Sequence, residues 1–377
     1  MCADGSCTKS KIISFSFMNS FINKIDRLGY FLEQKIGLFF TSLLLACALL
    51  MIAMIYVAPN FEMLYHGEFF SRLSLDPFNL SDPNPVRYRI LGPLIGFITH
   101  LKGPLFVYVP LIFAILFLAA VYSHYRQNKF TVTEAFIFVG IISFSCTILI
   151  AIKAAGYTDT ITYYFLFLAF IKIKKEGLSA IYFGLAMLNH ECSLFLLPGL
   201  VIYYNYKTDK NIFALNKIIL YYLLALIPFF IYRYYISNNA IVDFSLKFYF
   251  SKDTIEHNFM VILPLIPAGL FFAFKLFWIY PTLVIIENVK TRSYRSTVVI
   301  LAIIIPVIVQ LIIAYDVTRM LCLLFPAILI SAEIYRERKG TEKFTRIGLW
   351  LLLLNFLVLQ YFVSSYSIHP LLPFFME

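Results

Sequence analysis

The sequence predicts an all-α, polytopic integral membrane protein, and three observations carry that prediction. Of its 377 residues, 61% are hydrophobic and only 14% are charged, where a soluble domain carries about a quarter charged residues. Apolar runs of membrane-spanning length recur from Gly37 to the end of the chain, and a bilayer core asks for about 20 such residues per helix. No stretch between these runs is long enough to build a soluble core of its own.

The elements follow in order. Residues 1–36 are polar to amphipathic, with Lys9, Lys11, Lys24, Arg27 and Lys35. They form an expected cytoplasmic segment without a cleavable signal peptide, whose stretch 12–23 is suited to the membrane surface. A single transmembrane domain is expected over 37–363, and an outer-face tail over 364–377. Apolar runs at 37–58, 105–123, 134–152, 160–171, 178–188, 192–205, 217–236, 259–286, 298–315, 320–335 and 347–363 amount to about eleven crossings. Residues 90–101 are also apolar, but twelve helical residues reach only about 18 Å against a core of about 30 Å. They are therefore kept on the outer side.

Charge supports this threading. The net charge of +10 is not a nucleic-acid signal, because the cations are divided among short loops and form no single patch. Arg126 and Lys129, Lys172 to Lys175, Lys207 to Lys217, Lys290 to Arg295, and Arg336 to Arg346 all fall on the side of the amino terminus. That is the inner side by the positive-inside bias. Six cysteines, four of them in or beside apolar spans, give no disulfide or metal-ligand pattern.

The longest polar interval between the apolar runs is 59–93. It holds four carboxylates, three arginines and the aromatic residues Phe61, Tyr65, Phe69, Phe70, Phe78 and Tyr88. It reads as an ordered functional loop, with 59–89 as part of an active site. Other polar residues fall at the outer ends of different spans: Lys153 and Asp159, His190 and Glu191, Asp316 and Arg319. Ionisable groups at membrane depth are costly and point to a site. Each also has a plain structural role open to it. Asp159 suits a helix N-cap, Asp316 and Arg319 an i, i+3 pair, Lys153 and Lys275 snorkelling, and Arg87 and Arg89 lipid phosphates in general. Gly92 and Gly96 suit helix packing. Asn79-Leu-Ser81 matches a glycosylation acceptor pattern.

In outline, Tyr65-His-Gly-Glu68, Asp76-Pro-Phe78 and Arg87-Tyr-Arg89-Ile-Leu-Gly-Pro93, then Gly156-Tyr-Thr-Asp159 and Asn189-His-Glu191, resemble the GT-C superfamily of membrane glycosyltransferases over roughly residues 37–206. The resemblance implies a polyprenyl-phosphate-linked sugar as donor, no further cofactor, and a glycan, lipid or protein acceptor on the outer face. It also implies a catalytic carboxylate in the first outer loop. This chain has no Asp soon after the first span, so Glu68 or Asp76, or Glu62 before them, stands in.

The residue types fit that chemistry. A carboxylate accepts the proton of an attacking hydroxyl, and Arg87, Arg89, Lys153, His190 or Arg319 stabilise the departing phosphate. No metal-ligand spacing is present, and the alternative is that Asp76, Asp159 and Glu191 share one cation. Two other functions remain. A transporter or flippase would need midplane groups and broken helices, for which Lys275 and the prolines of 259–286 are the only hints. A polysaccharide polymerase or ligase would need a larger late loop than 237–258.

Overall fold

The computed structural model describes residues 6–63, 65–240, 251–314, 316–364 and 366–372, and for 6–19, 21 and 257 the backbone alone. Asp243 and Lys247 of the expected outer loop, and residues 373–377 of the tail, lie outside the described residues. The described chain is helical apart from one small hairpin, and six of its helical stretches are long and apolar enough to cross a membrane. A seventh is the pair Val132–Ser143 and Cys146–Lys153, bent by 49°.

Helix α1 runs Ser6–Tyr56 and is interrupted at Gly37. A φ of 80° and ψ of 160° there are open to glycine and not to residues with a Cβ. The helix restarts where the sequence places the first span. The 59–93 interval is not a plain loop. It contains α2 (His66–Leu75) and α3 (Leu91–Ile98). In α2, Gly67, Phe70, Ser71, Ser74 and Leu73 are buried, a helical stripe with too few large apolar residues to stand out in the sequence. Phe70, Val86, Leu91, Phe106, Val109 and Ile161 form a core of their own that clamps this interval to the bundle. The Ser74 hydroxyl accepts a bond from the Gly103 N–H at 3.0 Å, which fixes the end of α2.

The chain continues as α4 (Tyr108–Gln127), α5 (Val132–Ser143), α6 (Cys146–Lys153), α7 (Asp159–Ile171), α8 (Glu176–Asn189), α9 (Leu197–Lys207) and α10 (Ile218–Asn239). The expected run 134–152 breaks between α5 and α6. There Ser145 bonds the Ile142 carbonyl at 2.8 Å, a local bond that competes with the helical ladder. The run 259–286 is also broken, into α11 (Lys252–Val261), α12 (Ile266–Phe274) and α13 (Ile279–Thr291). After α14 (Arg295–Val309), α15 (Val317–Leu321) and α16 (Phe325–Lys339) comes α17 (Thr341–Leu357). This last helix stops short of the expected 363. Residues Gln360–Val363 form β1, paired antiparallel with β2 (Ile368–Leu371), with Gln360 opposite Leu371. An apolar run of this kind does not distinguish strand from helix.

Ion pairs divide the molecule into two ends. At the basic end, Arg126 grips Glu33 with two bonds of 2.6 Å, and Arg336 grips buried Glu134 at 2.7 Å. Lys207 meets Glu333 at 2.8 Å and Lys339 meets Glu287 at 2.5 Å. Thr131 and Glu134 close a capping box on α5, which satisfies N–H groups that a helix start leaves free.

Lys275, one of the charged residues inside an apolar run, is 1% exposed. Its ammonium donates to the Asn355 and Val358 carbonyls at 2.7 and 2.9 Å and to the Tyr56 hydroxyl at 3.1 Å. It therefore caps the carbonyl end of α17, as cations at helix C-termini do. It does not snorkel. Lys275→Met strands these buried acceptors, so thermal unfolding in detergent should show a loss of about 2–4 kcal/mol. An unchanged midpoint contradicts the capping role.

Candidate functional site

At the end opposite the basic loops, ionisable side chains from five separate stretches form one connected cluster. Arg89, just before α3, holds Glu191 with two bonds of 2.9 and 3.1 Å. Glu191 Oε2 lies 3.9 Å from His190 Nδ1, and His190 Nε2 lies 3.9 Å from Asp159 Oδ1. Arg319 approaches Asp159 Oδ2 with its Nε at 2.8 Å and also pairs with Asp316. The ring of Tyr157 lies 4.7 Å from the Arg319 guanidinium, and the ring of His66 stands edge-on to it at 5.7 Å.

Local sequence explains why these stretches meet. Gly67 lies so close to the 154–157 turn that a Cβ on it would stand 2.2 Å from the Ala155 carbonyl oxygen. That approach seats His66 against Tyr157. Gly92 likewise lies against Thr158 and Asn189, where a Cβ would meet the Thr158 methyl at 2.7 Å. Asn189 donates to the Thr158 carbonyl at 2.8 Å and to Thr162 Oγ1 at 2.7 Å. The end of α8 is thereby locked to the start of α7, which places His190 beside Asp159. The Val363 N–H bonds Thr318 Oγ1 at 2.8 Å, so the terminal hairpin buttresses α15, which carries Arg319.

The electrostatics are those of a buried mixed-charge network. Asp159, His190 and Arg319 are all less than a tenth exposed. Burial pushes His190 down to about 3 and His66 down to about 4, and Arg89 and Arg319 push both the same way. Both rings are therefore neutral near pH 7. The Cys192 N–H donates to His190 Nδ1 at 3.3 Å, so the neutral ring carries its proton on Nε2, facing Asp159. Burial alone would raise the Glu191 carboxyl, but the charge and hydrogen bonds of Arg89 outweigh it and hold it well below the usual range. The close Arg319–Asp159 contact is not aligned as a hydrogen bond; the aligned one, Nη2 to Oδ1, is 3.4 Å. Asp159 Oδ2, His190 Nε2, His66 Nδ1 and Arg319 Nε are buried polar atoms without a hydrogen-bond partner. Asp159 Oδ2 and Arg319 Nε face each other in the ion pair, which leaves His66 Nδ1 and His190 Nε2 with capacity for a substrate.

Of the residues singled out in the sequence, Arg89, Asp159, His190, Glu191 and Arg319 come together. Arg87 does not join them. It is fully buried, and its terminal nitrogens donate to the carbonyls of Asn79 and, at 2.6 Å, Asp82. Its guanidinium holds the 79–87 turn together. Glu68 is exposed, and its side chain meets no hydrogen-bond or ion-pair partner among the described residues. Asp76 is exposed and accepts from the Phe78 N–H at 3.2 Å. Lys153 ends α6 and is half-buried. Asp76, Asp159 and Glu191 do not form a ligand set, and among the described residues no three such groups stand close enough to hold a metal ion.

Asp159 makes no cap bond at the start of α7 and pairs with Arg319 instead. Two members, His66 and Tyr157, stand inside the stretches quoted above without being singled out as site residues. Their signal was the Gly beside each, at positions 67 and 156, in stretches already marked as polar. Comparison of the chain with protein-family models, curated proteins and solved structures finds no match.

The pH behaviour follows from sign. An unfolded histidine titrates near about 6.5, while His190 in the fold titrates at about 3. The unfolded chain thus takes up a proton first. The stability is complete above the unfolded value and is lost as pH falls toward the folded one, at about 1.4 kcal/mol per pH unit. His190→Gln should flatten the fall in unfolding free energy between about pH 6 and 5 by that slope. Parallel curves for the two proteins contradict the assignment.

Proposed function

We infer that the protein is a GT-C-like membrane glycosyltransferase, moving a sugar from a polyprenyl-phosphate-linked donor to an acceptor on the outer face. The observation that carries this is the convergence of Arg89, Asp159, His190, Glu191, Asp316 and Arg319 at the end opposite the basic loops. The alternation of the helices between a basic end and this end supports the full threading of eleven passages, with the amino terminus cytoplasmic and the site outside. The shorter passages, such as α7 to α9, are then shielded by surrounding helices, as short or broken segments in a bilayer must be.

The chemistry assigned to the cluster is simple. The acceptor oxygen bonds to the anomeric carbon while the bond from that carbon to the lipid phosphate oxygen breaks. The electron pair leaves on the phosphate, next to Arg89 and Arg319. The hydroxyl proton passes to a base from the first outer loop. His66, neutral and with a free Nδ1, is placed for this by its position in the cluster. Glu68 and Asp76 remain the carboxylate candidates on the exposed side of the same interval. The anomeric centre gains positive charge in the transition state. The cluster holds three carboxylates against two arginines, and the surplus negative charge suits that centre.

The same surplus favours a second reading, a transporter that couples its solute to a proton or cation. One assay separates the two. Membranes containing the full chain are offered radiolabelled polyprenyl-phosphate sugars, and label in water-insoluble glycan or glycolipid is counted. Transfer is expected, and Arg319→Gln and Asp159→Asn should each lower it by at least about 100-fold. Among His66→Ala, Glu68→Ala and Asp76→Ala, the one that abolishes transfer identifies the base. Full transfer in all three removes the first-loop base, and label moving across the membrane without new glycosidic bonds favours the transporter.

A further inference from the structure

A second cationic group lies near the site but outside the cluster. Arg233 sits on α10, six residues before its last residue, Asn239, or about 9 Å along the axis. Its guanidinium stacks 4.3 Å from the centre of the Tyr88 ring and 5.8 Å from that of Phe229. Among the described residues it forms no ion pair and no hydrogen bond. Every other arginine buried or half-buried at this end, Arg87, Arg89 and Arg319, has carbonyl or carboxylate partners.

The surroundings say what such a cation faces. Helix α10 packs chiefly on α8 and shows the rest of its surface outward. Phe230, Ile231, Tyr234 and Tyr235 around Arg233 are 55%, 63%, 75% and 49% exposed. In a membrane-spanning helix that surface faces lipid, and tyrosines of this kind mark the headgroup level. A charge at that depth with no counter-ion among the described residues has donors to offer, and leaving them unused is costly. The sequence neighbours of Arg89 are also built onto this helix. The Tyr232 hydroxyl donates to the Arg87 carbonyl at 3.0 Å, and the Tyr88 hydroxyl lies 3.4 Å from Ser237 Oγ. Arg233 thus sits on the lipid-facing side of the 85–88 turn, whose next residue, Arg89, enters the cluster.

We propose that Arg233, held flat by Tyr88 and Phe229, is a seat for the phosphate of a membrane lipid at the lateral edge of the site. The guanidinium supplies forked donors that match phosphate oxygens, and the aromatic rings hold it in place. The inference rests on the membrane reading of the fold and not on sugar transfer. A headgroup phosphate of a bilayer lipid and the phosphate of a polyprenyl carrier offer the same chemistry.

Native mass spectrometry of the full chain in detergent tests it, with three probes at equal concentration: dioleoylphosphatidic acid, a polyprenyl monophosphate, and dioleoylglycerol, which lacks phosphate. The wild-type protein should retain both phosphate lipids at least about tenfold above dioleoylglycerol. Arg233→Gln should lose most of that excess, Arg233→Lys should keep part of it, and Tyr88→Leu should weaken it with the charge intact. A preference for the polyprenyl phosphate marks the seat as a port for the carrier, and equal retention marks it as a headgroup seat. Retention by Arg233→Gln at the wild-type level, or equal retention of dioleoylglycerol, overturns the proposal. The transfer assay above is independent of this result.

Discussion

Burying charge is the constraint around which this molecule is arranged. Asp159 and Arg319 stand 160 positions apart in the chain, and both are less than a tenth exposed. Neither is tolerable alone in a low-dielectric interior, because an unpaired buried ion costs several kcal/mol. Their contact therefore holds the start of α7 and the short helix α15 in one relative position. His190 and Glu191 extend the same network to Arg89. The close approaches at Gly67 and Gly92 and the Asn189 bonds bring these stretches together, and the charges join them into one network.

The two ends of the bundle solve the charge problem differently. At the basic end, pairs such as Arg126 with Glu33 and Arg336 with Glu134 are closed, with nearly every donor and acceptor used. They hold helices together and leave little for a ligand. At the other end, the pairs are looser and several buried polar atoms lack partners. A network that is partly satisfied costs stability, and the fold offsets that cost with close backbone approaches at Gly67 and Gly92 and with the Asn189 bonds to α7. This division is the structural reason to look for chemistry at one end and scaffolding at the other.

Much of this was legible in the sequence. Low charge and long apolar runs announce a helical membrane protein, and Gly37 marks the helix restart where hydrophobicity begins. Polar residues at run boundaries named most of the cluster: Asp159 and Arg319 with plain structural roles open to them, His190 and Glu191 with few. Arg87 shows the limit. In the sequence it is the twin of Arg89, and only the turn of the chain decides that one arginine binds its own loop while the other reaches Glu191. His66 shows the reverse, since it starts a helix hidden in a polar interval and only the neighbouring Gly67 marks it. The final hairpin was missed because the apolar run from Ile347 to Val363 carries no turn signal, and strand pairing depends on a partner that lies beyond it.

The functional reading depends on the cluster acting as a unit, and a double-mutant cycle on Asp159 and Arg319 measures that most directly. Unfolding free energies are compared for the wild type, Asp159→Asn, Arg319→Gln and the double variant in one detergent. The account predicts strong coupling, with the double variant about 2 kcal/mol or more better than the sum of the single losses, since removing either partner alone strands the other. Losses that add to within about 0.5 kcal/mol would mean that the two side chains do not share a buried network, and the account would fail there.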